Sequence, residues 1–211
     1  MVKKVVKENL VYLIILFVLT VASIIIMNSS IITNINNFDK SVINFVMSIV
    51  NDNLTTIFKI ITKFGDIYIP LIIIVCIFLF FKNKWYFYLQ TGSYLIAGIL
   101  TYLSKILVGR ERPLEALIEI PKSNSFPSGH TFTSIVFYLT LIYLLTHHRS
   151  KKIKIVSFVL ISIFIVLIAF SRIYLGVHFC SDVIGGILFG IPCLLMILNI
   201  IDKNFKKKLK K

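Results

Sequence analysis

A chain of 211 residues with 57% hydrophobic residues and a net charge of +14 has room for one soluble domain or one small bundle of membrane helices. The runs 11-VYLIILFVLTVASIIIM-27 and 153-IKIVSFVLISIFIVLIAF-170 are long enough for a bilayer core and nearly free of charge, which excludes the soluble alternative. The positive charge does not indicate nucleic-acid binding, because the lysines gather in short segments beside apolar runs.

Six spans are predicted, at about 10–27, 67–81, 85–107, 130–146, 153–170 and 182–201. MVKK before the first span is how a signal peptide starts. Its apolar run is too long for one, and no small-residue cleavage site follows near Asn28, so a retained first helix is expected. With the N-terminus inside, the Lys82–Lys84 turn, the His147–Lys154 loop and the C-terminal tail share that side. They hold most of the 23 Lys and Arg residues and, of the acids, just Glu8 and Asp202, as cytoplasmic segments do. The tail 206-KKKLKK-211 is read first as a topology signal and second as a patch for anionic lipid headgroups.

Segment 28–66 lies between the first two spans. Val42, Phe45, Val46, Ile49 and Val50 recur there at helical spacing, opposite Ser41, Asn44, Ser48, Asn51 and Asp52. That pattern fits a helix lying in the membrane interface or packed on the bundle. No linker marks a second domain, so one domain over residues 1–211 is expected. Cys76, Cys180 and Cys193 form no CxxC pair and show no metal-ligand spacing; they are read as structural. Asp66 after Gly65 is read as the beginning of span two.

Two segments concentrate chemistry: 105-KILVGRERP-113 with 127-PSGH-130, and 171-SRIYLGVHFCSD-182. Two spans separate them, so both emerge on one membrane face and can form a single site. Lys105, Arg112 and Arg172 would repel one another without an anion, and guanidinium groups match phosphate oxygens. Ser128 and Gly129 precede a helix whose free amides favour the same anion. His178 and Asp182, four residues apart, are placed for a carboxylate to fix the imidazole tautomer, freeing the other nitrogen to attack phosphorus. His130 is then the general acid for the departing alcohol. No carboxylate cluster suits two metal ions, so no cofactor or metal is expected and the cations should stabilise the transition state. Arg110 and Glu111 are read first as an exposed ion pair and second as contacts for a second phosphate. His147 and His148 fall on the opposite face and receive no role.

These residues resemble the type 2 phosphatidic acid phosphatase superfamily, whose blocks are K-x6-RP, PSGH and SR-x5-H-x3-D. Here they are Lys105, Arg112 and Pro113; Pro127 to His130; and Ser171, Arg172, His178 and Asp182. The resemblance implies an all-α, multi-pass bundle of six transmembrane helices with its site at the extracytoplasmic ends. It also implies His178 as nucleophile, Asp182 as its orienter, His130 as acid, and Lys105, Arg112, Arg172, Ser128 and Gly129 as phosphate binders. Glu111 and Cys180 stand where the family often has proline, outside the motif positions. The expected partner is a lipid phosphate or diphosphate in the cell membrane (phosphatidylglycerophosphate, phosphatidic acid or undecaprenyl pyrophosphate). Lipid-to-lipid phosphotransfer uses the same residues and stays open. A transporter or binding protein needs no His–Asp pair, and the haloperoxidase branch is typically soluble.

Overall fold

The computed structural model describes the backbone of residues 2–208 and the side chains of 7–203. The lysines at 206–211 lie outside the described side chains. Eight helices run in order: α1 (Val2–Met27), α2 (Ile31–Ser48), α3 (Asp52–Thr62), α4 (Tyr68–Phe80), α5 (Trp85–Val108), α6 (Gly129–Thr146), α7 (Lys151–Tyr174) and α8 (Cys180–Lys208), with a 3-10 turn at Lys63–Gly65 between α3 and α4. No strand occurs among the described residues.

Local chemistry sets several ends. The Asn51 side chain caps α3 by accepting from the Leu54 amide at 3.0 Å, the usual N-cap device. Gly109 ends α5 in the left-handed conformation, its amide donating to Lys105 O. Asp182, in the first turn of α8, reaches back to the Phe179 amide at 2.9 Å, as an acidic residue does in a capping box.

Five helices are long and apolar enough to cross a membrane, at Lys7–Met27, Trp85–Val108, Gly129–Thr146, Lys151–Tyr174 and Cys180–Lys203. The second predicted span, 67–81, holds a shorter helix than the other five. Its 13-residue helix α4 reaches only about 20 Å at 1.5 Å per residue, short of a hydrocarbon core of about 30 Å. Together, α3 and α4 are apolar and long enough to serve as one span broken by a 49° bend at the intervening turn, or as a re-entrant pair. Asp52, Asn53, Thr55, Thr56 and Lys59 dilute the hydropathy of α3, which hides the first half of the span in the sequence. Non-helical backbone at such a break is tolerated where protein or a polar cavity surrounds it.

Helix α6 lies at the centre, packed against α5, α7 and α8. Phe132, Val136, Phe137, Ile168 and Cys193 are fully buried around it. A Cβ at Gly186 of α8 would sit 2.8 Å from Thr131 Cβ on α6, so the glycine permits the close backbone approach that membrane helices use. Phe17, Phe80 and Val166 point outward, toward the lipid that surrounds such a bundle.

Helix α2 packs on the bundle, one of the two expected roles, and rearranges the predicted face. It packs on α7 and α8 through Asp39 and Val46, which are buried, while Phe38 and Phe45 are exposed. Phe45 and Ile49 therefore lie off the packed face, and Asp39 lies on it. One more acid than the apolar pattern foresaw is inside.

Candidate active site

The ends of α5, α6, α7 and α8 meet at one end of the bundle, joined by the loops 109–128 and 175–179 and by the break before α4. Backbone bonds tie the chemical segments together. The Ser128 amide donates to Asp182 O at 2.9 Å, the Leu117 amide donates to Leu175 O at 3.0 Å, and the Val177 and His178 amides both donate to Arg172 O. Gly176 makes the turn before His178 with φ of +71°, and a Cβ there would lie 2.4 Å from Glu115 O. Only glycine fits that conformation and that gap without strain.

His178 is almost fully buried. Its Nε2 lies 3.1 Å from an Arg112 guanidinium nitrogen. A guanidinium only donates, so Nε2 is the acceptor and the ring proton belongs on Nδ1. Nδ1 faces Asp182 Oδ2 at 3.3 Å and Ser125 Oγ at 3.3 Å. Burial above all, aided by the cations of Arg112 and Lys105 and opposed by Asp182, pushes the His178 imidazole down to about 3. The imidazole therefore rests as the free base.

Asp182 is held from several sides. Its Oδ2 also accepts from the Ser125 hydroxyl and the Phe179 amide, and its Oδ1 accepts from Arg110 at 2.8 Å. Arg110 spans to Asp39 of α2 at 2.7 Å, and Asp39 in turn accepts from the Ser181 amide and hydroxyl. The predicted exposed Arg110–Glu111 pair does not form. Arg110 is buried between two carboxylates and Glu111 is exposed, because neighbours in an extended loop point to opposite sides.

The predicted phosphate-binding cations surround this pair. Lys105 Nζ donates to Asn124 O at 2.5 Å and Ser125 O at 3.1 Å. Arg112 also donates to Ser123 O and Val177 O. Arg172 donates to the Thr62 hydroxyl, and its buried Nε has no partner among the described residues. Such an orphaned donor is costly unless an acceptor is supplied. The Ser128 amide, expected to be free, is committed to Asp182 O. Its hydroxyl accepts from Thr131 at 3.0 Å, so the Ser128 O–H proton remains available. Gly129 sits close to Thr101 and Lys105, with 3.4 Å and 3.7 Å left for a Cβ. A cavity of about 790 Å³ opens beside the cluster, lined in part by Lys40, Arg110, Arg112 and Phe179.

His130 begins α6 with Nε2 2.9 Å from Asp66 Oδ1. The contact falls outside hydrogen-bond geometry, so it is an electrostatic pairing. His147 and His148 lie at the other end of α6. Among the described residues, no group of three or more His, Cys, Asp or Glu side chains is arranged to hold a metal ion.

Sequence reasoning passed over Ser125, Asp39 and Thr62, gave Arg110 to an exposed pair with Glu111, and assigned Asp66 only to a helix start. One signal was present. Asp39, Val42 and Val46 follow helical spacing on a common stripe, and an acid on a buried stripe needs a cationic partner.

Residues 87–206 match the profile of the PAP2 superfamily. The chain belongs to the PAP2 superfamily. Its relatives include a phosphatidylglycerophosphatase B of Bacillus subtilis, 34% identical over 149 residues, with 68% of this chain and 70% of the relative covered. An undecaprenyl-diphosphatase of Sulfolobus acidocaldarius is 30% identical over 135 residues, covering 61% of this chain and 62% of the relative. The crystal structure of a transmembrane PAP2 type phosphatidylglycerolphosphate phosphatase from Bacillus subtilis matches with a TM-score of 0.79 at 25% identity, over 92% of this chain and 96% of that one. Asp39, Thr62 and Asp66 all precede the PAP2 match.

Proposed function

We propose that this PAP2 protein hydrolyses a lipid phosphate monoester or diphosphate without a metal, through a phosphohistidine on His178. The observation that carries the reading is the state of His178: buried, with Nε2 facing Arg112 and Nδ1 facing Asp182. In the first step Nε2 attacks phosphorus, the bond from phosphorus to the lipid oxygen breaks, and His130 gives its proton to that oxygen. In the second, His130 takes a proton from water, the water oxygen attacks phosphorus, and the N–P bond breaks to release phosphate and restore His178. Asp182 keeps the Nδ1 proton and the ring orientation throughout. Lys105, Arg112 and Arg172, the Ser128 hydroxyl and the Gly129 amide bind the phosphoryl oxygens and take up the developing charge.

Phosphatidylglycerophosphate, phosphatidic acid and undecaprenyl pyrophosphate are the substrates that the named relatives and the site chemistry favour for trial. The basic segments around Lys82, Lys84 and 149–154 lie at the far ends of the same helices, which supports a site on the extracytoplasmic side. The test is phosphate release by purified protein in detergent with EDTA, on each of these lipids, beside His178→Ala. Release that persists in EDTA and vanishes in the mutant is the expected result. Release from no lipid, or equal release by the mutant, would overturn the reading.

A further inference from the structure

The break in the second span delivers a set of groups to the site from outside the PAP2 match. The Thr62 hydroxyl accepts from Arg172. Phe64 O accepts from the Tyr138 hydroxyl at 2.6 Å, which anchors the turn to α6. Gly65 lies so close to His130 that a Cβ would be 2.6 Å from its Cδ2. Held by these contacts, Asp66 places Oδ1 2.9 Å from His130 Nε2. A general acid among the site's cations must hold a proton they disfavour, and an adjacent carboxylate offsets part of that repulsion.

We propose that Asp66 is the positioning residue of the general acid: its carboxylate pairs with Nε2 of His130, orients the ring and leaves Nδ1 to exchange the proton with the lipid oxygen. The site then holds two carboxylate–imidazole pairs with opposite duties. Asp182 maintains His178 as an unprotonated nucleophile at Nε2, and Asp66 supports His130 as a proton carrier. The inference rests on the phosphohistidine reading given above.

The duty is specific to the leaving group, because an alkoxide must be protonated as it departs and a nitrophenolate need not be. Two tail-matched substrates separate the cases: dodecyl phosphate and 4-dodecyl-2-nitrophenyl phosphate. Asp66→Asn is nearly isosteric, and the Asp66 side chain is 41% exposed, so the variant is compatible with folding. Its kcat/KM on dodecyl phosphate, which reports the leaving-group step and not the later water step that His130 also serves, is expected to fall by roughly 10- to 100-fold, within what general acid catalysis supplies. On the nitrophenyl ester the fall should stay below about 3-fold, as part of the same acid-catalysis effect. His130→Ala should show the same selectivity, and Asp66→Glu should recover part of the alkyl rate. A parallel loss on both substrates, or no loss on the alkyl ester, overturns the proposal while wild-type turnover still stands. Wild-type protein inactive on both, or His178→Ala as active as wild type, would instead defeat the phosphohistidine reading itself.

Discussion

Replacing Arg110 by alanine removes a cation that joins helix α2 to the Asp182 carboxylate. Arg110 bonds Asp39 at 2.7 Å and Asp182 at 2.8 Å, and both carboxylates are fully buried. Removing one partner of a buried pair leaves uncompensated charge and costs about 3–5 kcal/mol; here two carboxylates lose the same guanidinium. For a chain of this size, that corresponds to a fall in Tm of roughly 6–20 °C. Cys193, fully buried, reports the transition when a thiol-reactive fluorophore is followed on heating in detergent. Glu111→Ala, one residue away and exposed, is the control and should stay within about 0.5 kcal/mol of wild type. The reasoning fails if Arg110→Ala melts within about 2 °C of wild type, inside what a surface change of about 0.5 kcal/mol produces.

Ser125→Ala removes the hydroxyl that Asp182 accepts and that lies 3.3 Å from His178 Nδ1. A hydrogen bond to a charged group is worth about 1.5–3 kcal/mol, so kcat should drop by roughly 10- to 150-fold with KM little changed; a pure KM effect would count against the assignment. His178, held near 3 in the folded protein against about 6.5 in the unfolded chain, refuses a proton that the unfolded chain binds. Stability should therefore decline as pH falls from about 6.5 toward 3, and less so in His178→Gln; identical Tm–pH curves for the two proteins would contradict this. Labelled phosphoenzyme should form no more slowly at pH 5 than at pH 7, and a tenfold slowing would mean that the nucleophile titrates in that range. Gly176→Ala combines a left-handed φ with a clash on Glu115 O and should destabilise by at least about 1–3 kcal/mol in the same melting assay. Gly98→Ala, where a Cβ meets nothing within 4 Å, should not destabilise.

Much of the chemistry was visible before folding. The three blocks carrying Lys105, Arg112, His130, Arg172, His178 and Asp182 have fixed spacing, and span parity places them on one face. Less visible were the partners of these groups. Asp66 reads as a helix start because the residue it meets, His130, is far along the chain. Arg110 reads as the neighbour of Glu111 because adjacency is all that a sequence displays.

Hydropathy alone determined that the chain is a multi-pass helical membrane protein, since a bilayer admits few ways to satisfy a backbone. It also located five spans closely, because uniform apolar runs leave little ambiguity. Tertiary structure added the sixth candidate, α3 and α4 on either side of a bend, where a polar first half interrupts the signal. Packing also decided which donors are spent and which remain: the Ser128 amide is used by Asp182, while the buried Arg172 Nε has no partner among the described residues. Such choices depend on distances between residues remote in sequence, and only the folded helices set those distances.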